Sequence, residues 1–237
     1  MHFHLVTLFP KSFDSYLGES ILKRAIEDRK IKVSFYNPRD FVENKWTKSA
    51  KGGLPDQQSW FRKRVDRPPY GGGPGLVIEA LPIVQAIESA IKKSKLAPRT
   101  KSLAPKIIFL SPRGKQFTND YAKKTIKKYK NIILVCGRYE GIDARVKKIF
   151  KMEEISVGPF VLTGGELPAM LIMDVMSRQV PGILGNINSL EEHRVSTSEI
   201  YTRPEVFNYK GKSYRVPKIL LSGNHAEIEK WKRERKK

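Results

Sequence analysis

Residues 132–168 read IILVCGRYEGIDARVKKIFKMEEISVGPFVLTGGELP, and the punctuation of this stretch constrains the fold more than any other part of the chain. The run 132–136 is too short for most helices and rich in β-branched residues, so it predicts a buried strand. It leads straight into Gly137-Arg138-Tyr139-Glu140-Gly141, a polar turn bracketed by two glycines. A second predicted strand, 154–157, stops at Gly158, and the pair Gly164-Gly165 opens an apolar helix that runs from 167 to 178 and is ended by Pro181-Gly182. Glycine loops at strand ends let backbone come close to a small ligand, and open α/β sheets bind ligands in that place. One such loop reads equally well as an ordinary turn. Three within one stretch favour a small-molecule site.

The flanking sequence fits an α/β chain. Residues 2–8 (HFHLVTL) read as a first strand, 20–29 as a helix with Ile21, Leu22, Ala25 and Ile26 at helical spacing, and 32–36 as a second strand. His2 and His4 share one strand face; with no third ligand near, they read as surface or half-buried histidines rather than a metal pair. Residues 42–69 read as a long loop carrying Trp46, Trp60 and the run Arg62-Lys63-Arg64. Exposed tryptophans beside arginines suit stacking on unpaired bases, and a solvated insertion with its aromatics tucked inward reads as well. The loop Tyr70-Gly71-Gly72-Gly73-Pro74-Gly75 lacks GxGxxG spacing and contains a proline, which argues against a dinucleotide site. A helix follows with Leu81, Val84, Ile87 and Ile91 near one face, then a strand over 106–110 that ends at Ser111-Pro112-Arg113-Gly114. Thr118 is placed to cap a helix over 119–129. Residues 186–198 read as a linker and 225–237 as a final helix with a basic end.

Charge narrows the partner. Lys+Arg 45 against Asp+Glu 24 leaves +21, far more than solubility needs. A polyphosphate partner is the natural reading, with an anionic membrane second. Residues 92–130 hold thirteen basic side chains against one acid, Asp120, and mark the electrostatic footprint expected for RNA, with affinity falling steeply with salt. No apolar run reaches membrane-spanning length and the N-terminus does not read as a cleavable signal. The lone Cys136 lies in a predicted strand, as expected of a buried small hydrophobe in a reducing compartment; the expectation is a cytoplasmic protein.

CGRYEGID and SVGPFVLTGGELPA, with PYGGGPG upstream and YTRPEV and LLSGNH downstream, occur here in a fixed order. Together they resemble the bacterial tRNA (guanine-N1)-methyltransferases, SPOUT-class knotted enzymes, over nearly the whole chain. The resemblance implies a trefoil-knotted α/β domain over 1–185 with an insertion at about 42–69, an interdomain linker over 186–200, and a small, mostly helical tRNA-binding domain over 201–237. It implies S-adenosylmethionine as donor and methyl transfer to N1 of guanine 37, 3′ to the anticodon. It also implies a homodimer with shared active sites and no membrane partner. Donor contacts carried over by motif are Phe109, Leu110, Ser111, Pro112, Gly137, Tyr139, Glu140, Gly141, Ser156, Val157, Gly158, Pro159, Phe160, Val161, Leu162, Gly164, Gly165 and Pro168. Pro159 and Phe160 stand where the family commonly has Asp-Tyr, which removes one backbone N–H and one hydroxyl.

Methylating N1 of guanine means removing its proton while negative charge builds on O6, so a base and a facing cation are needed. The family's arginine matches Arg178. Its aspartate position falls at His193, whose unperturbed pKa suits a base, and Glu192, Glu191 or Glu199 can take that place instead. The family's activity is associated with Mg²⁺, though no acid cluster here reads as a dedicated metal site. Two alternatives stand beside this reading: a knotted methyltransferase for another RNA base, and a catalytically weakened RNA- or donor-binding homologue.

Overall fold

The computed structural model describes residues 1–42, 64–95, 104–184 and 199–235. They fall into two compact units, Met1–Ile183 and Leu184–Lys237.

The first unit is built on a five-stranded parallel sheet. Its strands are β1 (His2–Val6), β2 (Lys32–Tyr36), β5 (Lys106–Gln116), β6 (Asn131–Val135) and β7 (Glu153–Ser156), in the order β2-β1-β6-β5-β7. Every residue of β6 is buried, and β1 is buried from its second residue on. Such runs without polar alternation belong to strands covered on both faces. The two-residue side-chain period sorts them: Ile132 and Leu134 join Phe3, Leu5, Ile108 and Leu110 on one face, while Ile133 and Val135 join Val6 and Phe109 on the other. Helices α2 (Ser20–Glu27) and α6 (Glu166–Arg178) cover the first face, through Leu22 and Ala25 and through Ala169, Ile172, Met173 and Met176. Helices α3 (Ala80–Lys95) and α5 (Ala144–Phe150) cover the second, through Ile83, Ala86, Ile87 and Ala90 and through Val146.

Several expectations need correction. The apolar face of α3 is not centred on Leu81, which is 65% exposed; Pro82, Ile83, Ala86, Ile87 and Ala90 carry the packing. Small alanines at a four-residue step let the helix lie close to the sheet, and they weigh little in a pattern read from large residues. His4 is wholly buried, since β1 has a neighbour on each side; its ring bonds the Tyr36 hydroxyl at 2.9 Å and Asn131 Oδ1 at 3.2 Å. Of the segment 42–69, residues 43–63 lie outside the described residues. Its end is not loop, because β3 (Asp66–Arg67) pairs antiparallel with β4 (Val77–Ile78). β5 does not stop at Leu110: both Leu110 and Lys115 pair with Ile155, so the strand bulges through Ser111–Gly114 and resumes. Helix α4 (Asn119–Lys128) begins as expected, with Thr118 Oγ1 accepting from the Tyr121 N–H at 3.1 Å.

The second unit holds a hairpin, β8 (Val206–Tyr209) with β9 (Lys212–Arg215), a short helix α7 (Lys218–Leu221) and α8 (His225–Glu234). The hairpin was not legible in the sequence. The proposed linker is outside the described residues except for Glu199 and Ile200.

Candidate active site

β6, β5 and β7 are adjacent and parallel, so their carboxyl ends reach one side of the sheet together, and there a cavity of about 540 Å³ opens. That is within the range, roughly 300–1,000 Å³, of clefts that hold small organic ligands. One wall is Phe109–Arg113 at the bulge of β5, a second is Gly137–Ile142 after β6, and a third runs from Glu154 through Gly158 and from Phe160 to Gly165, closed by Pro168.

The second wall is shaped by backbone that few residues adopt. Tyr139 holds φ +58 and Gly141 φ +110, both in the left-handed half of conformational space that disfavours side chains. A Cβ added to Gly141 would meet nothing within 4 Å, so the empty space of the cavity begins at its backbone. β4 laces this loop in place: Ile78 N–H donates to the Gly141 carbonyl at 3.0 Å, Asp143 N–H to Ile78 at 2.9 Å, and Glu140 N–H to Leu76 at 3.0 Å. Asp143 then caps α5, accepting from the Arg145 N–H at 2.9 Å, and α5 brings Lys147 to the wall, where it donates to Glu154 at 2.7 Å.

The third wall closes on the second. Leaving β7, the chain passes β5 to reach β6: Arg138 and Gly164 form an antiparallel bridge, and the Gly165 N–H donates to the Gly137 carbonyl at 2.9 Å. A Cβ on Gly165 would lie 2.6 Å from Cys136 Cα, so the two backbones meet where only glycine fits. The next residue, Glu166, is 3% exposed and anchors the crossing. Its carboxylate accepts from Arg138 Nε at 2.8 Å and from the Thr7 hydroxyl at 2.8 Å, and the guanidinium lies 4.6 Å from the centre of the Phe9 ring. An acid in the first turn of α6 also suits the positive end of that helix.

Charges in the cavity are mixed. Lys147 holds the Glu154 carboxyl below the usual carboxylate range against the opposing effect of burial, with the Ser111 hydroxyl assisting. Burial pushes the Cys136 thiol well above its ordinary pKa, with Glu166 adding to that and Arg138 opposing it, so Cys136 has no thiolate to offer as a nucleophile.

All the donor residues carried over by resemblance line this cavity except Pro159. The Phe160 ring folds against Gly158 so closely that a Cβ there would overlap it, which makes this departure part of the wall itself. Sequence reading missed Arg113, Ile142, Lys147, Glu154, Ile155 and Thr163 as lining residues, and it missed the role of Arg138. The Asp143 cap is the local signal that placed Lys147. Arg178 does not line the cavity; it ends α6, about 18 Å along the helix axis from Glu166 at a helical rise of about 1.5 Å per residue. His193 and Glu192 lie outside the described residues. Among the described residues no group of three His, Cys, Asp or Glu could hold a metal ion, and no helix is long and apolar enough to cross a membrane.

The profile of the family described as tRNA (Guanine-1)-methyltransferase TrmD matches residues 1–237. A tRNA (guanine-N(1)-)-methyltransferase of Clostridioides difficile (strain 630) is 41% identical over 99% of this chain and 91% of its own length. The relative of that name from Campylobacter jejuni subsp. doylei is 41% identical over 96% of this chain and 88% of its own. Among solved structures, the tRNA (m1G37) methyltransferase from Aquifex aeolicus superposes with a TM-score of 0.72 at 33% identity, covering 99% of this chain and 88% of that one.

Proposed function

This chain belongs to the tRNA (guanine-1)-methyltransferase family, with its SPOUT-type knotted α/β fold, and on that premise we propose that it transfers a methyl group from S-adenosylmethionine to N1 of guanine 37 in tRNA. The observation that carries the reading is the cavity at the carboxyl ends of β6, β5 and β7, walled by the glycine loops of the two longest family motifs. Its residues fit such a donor: a cradle starts at Gly141, where no Cβ intrudes, and backbone from three strand ends is available to an adenosyl group. When bound, S-adenosylmethionine supplies an electrophilic methyl group on a sulfonium sulfur. Residues 137–141 and 156–165 hold and orient it, and the Arg138–Glu166 pair keeps their two loops together.

The guanine is handled by other residues. Arg178 faces O6 and stabilises the charge that builds there, while His193 or Glu192 takes the N1 proton. The family resemblance implies a homodimer in which each site combines the donor cavity of one chain with the linker and C-terminal unit of a second, and the position of Arg178 outside the cavity of its own chain supports that reading. The described residues offer no fit for a dedicated Mg²⁺ site. A tRNA substrate and the +21 charge suit a cytoplasmic enzyme.

The test is methyl transfer from labelled donor to two tRNA transcripts, one with guanine and one with adenine at position 37. Transfer to the guanine transcript alone is expected. Transfer to both, or to neither with donor still bound, would replace the reading with another target base, which the altered linker and the insertion favour, or with a weakened homologue, which the missing aspartate favours.

A further inference from the structure

The hairpin of the second unit carries a feature that its folding does not explain. Tyr209 pairs with Lys212 across a two-residue loop, Lys210 and Gly211, with φ of +49 and +75, the left-handed pair that matches the twist of the strands. Phe207 pairs with Tyr214. The two-residue period of a strand therefore sets Phe207, Tyr209, Lys212 and Tyr214 on one face. The three rings are 57%, 53% and 55% exposed. Phe207 and Tyr209 are nearly parallel, with an interplanar angle of 10° and centroids 6.4 Å apart, and the Lys210 ammonium lies 5.3 Å from the Tyr209 ring centre. The opposite face is polar: Ser213 Oγ donates to Asn208 Oδ1 at 2.6 Å. A two-stranded hairpin is marginally stable in water by itself, and single exposed aromatics are unremarkable, whereas three on one face form a patch.

Charge selects the occupant. Residues 206–218 contain Lys210, Lys212, Arg215 and Lys218 and no acid, which complements a phosphate backbone. Flat rings interleaved with cations match unstacked bases on a charged backbone; an A-form duplex hides its base faces and offers the rings nothing to stack on. We propose that the face formed by Phe207, Tyr209 and Tyr214, rimmed by Lys210 and Lys212, is a stacking platform for unpaired bases of the tRNA substrate. The proposal rests on the tRNA reading above and adds where single-stranded RNA is gripped.

Two measurements test it on the full-length chain. The first is equilibrium binding of the guanine-37 transcript, and of a short single-stranded oligonucleotide beside a duplex of the same length. The variants are Phe207→Ala/Tyr209→Ala/Tyr214→Ala and the ring-preserving Tyr209→Phe/Tyr214→Phe. Stacking lost at the alanine variant weakens transcript binding at least about tenfold, and the phenylalanine variant stays within about twofold. The second is photo-cross-linking of transcript to wild-type protein, read by mass spectrometry. It does not depend on a variant folding, and adducts are expected on Phe207, Tyr209 or Tyr214. Equal transcript affinity of wild type and alanine variant, or cross-links that all fall elsewhere, would overturn the platform. So would a dimer-to-monomer change in the alanine variant by sedimentation, which would make the face a protein interface. Tight transcript binding without any methyl transfer by the wild type would sink the functional reading and leave the platform to be judged by binding alone.

Discussion

Replacing Glu166 by alanine removes the anchor where residues 163–166 meet residues 136–138, and the structure sets the size of the effect. The Glu166 side chain is 4% exposed and that of Arg138 24%, so the acid is buried and the base is partly reached by water. Alanine deletes a charge-assisted bond worth about 1.5–3 kcal/mol and a hydroxyl bond worth about 0.5–1.5 kcal/mol. It also leaves a guanidinium with only the Thr163 carbonyl at 3.4 Å and the Phe9 ring. Breaking a fully buried pair costs about 3–5 kcal/mol; the partial hydration of Arg138 brings the expected loss to about 3 kcal/mol. Glutamine keeps the shape and can still accept from Arg138 Nε, so about 1 kcal/mol is expected for Glu166→Gln. Denaturant unfolding gives these values as shifts in midpoint at constant slope. Donor affinity, measured by calorimetry where each variant is folded, should weaken about tenfold for alanine and much less for glutamine. The reasoning fails if Glu166→Ala costs under about 0.5 kcal/mol and binds donor like wild type.

Gly165→Ala puts a Cβ 2.6 Å from Cys136 Cα, so backbone must shift; expression of little folded protein, or a donor Kd raised at least tenfold, is expected by calorimetry and circular dichroism. Arg178→Ala should lower the single-turnover rate by about 100-fold or more, as loss of one transition-state donor does, with donor affinity unchanged in calorimetry. The imidazole of His2 is held to a pKa of about 3 by burial, then by the charge of His4, whose tilted ring is centred 3.8 Å away, and by Lys32, Lys93 and the amino terminus; burial also lowers His4, against its bond to Asn131. The folded pKa lies below the unfolded one, so the stability from a neutral His2 is complete above about pH 6.5 and is lost as pH falls toward 3. His2→Gln should therefore show a shallower fall in denaturant midpoint between pH 6.5 and 4.5 than wild type; parallel curves would refute this.

The sheet was legible because parallel strands buried on both faces are continuous apolar runs, and β2 was found at its full bounds, with β1, β6 and β7 placed to within a residue or two. Helix α5 was not, because Val146 is its one buried residue among three basic ones and no apolar period forms over Ala144–Phe150. The hairpin was missed for a related reason: its residues face solvent on both sides apart from Val206, so nothing alternates between core and water. Pro112 and Gly114 read as the end of a strand, whereas the chain bulges there and pairs again. The cavity walls were legible through glycine motifs. What secures those walls was not, since Thr7 and Glu166 are 159 positions apart and meet only because β1 and the start of α6 converge beside β6. Arg178 was placed by resemblance, and its position at the far end of α6 follows from the helix already legible over 167–178.

The most direct test of the account is the chemical position of the product. After reaction with S-adenosylmethionine, the guanine-37 transcript is digested to nucleosides and oligonucleotides and mapped by mass spectrometry. The account predicts 1-methylguanosine at position 37 and at no other position. A methyl group on another atom of that guanine, or on another nucleotide, would contradict it.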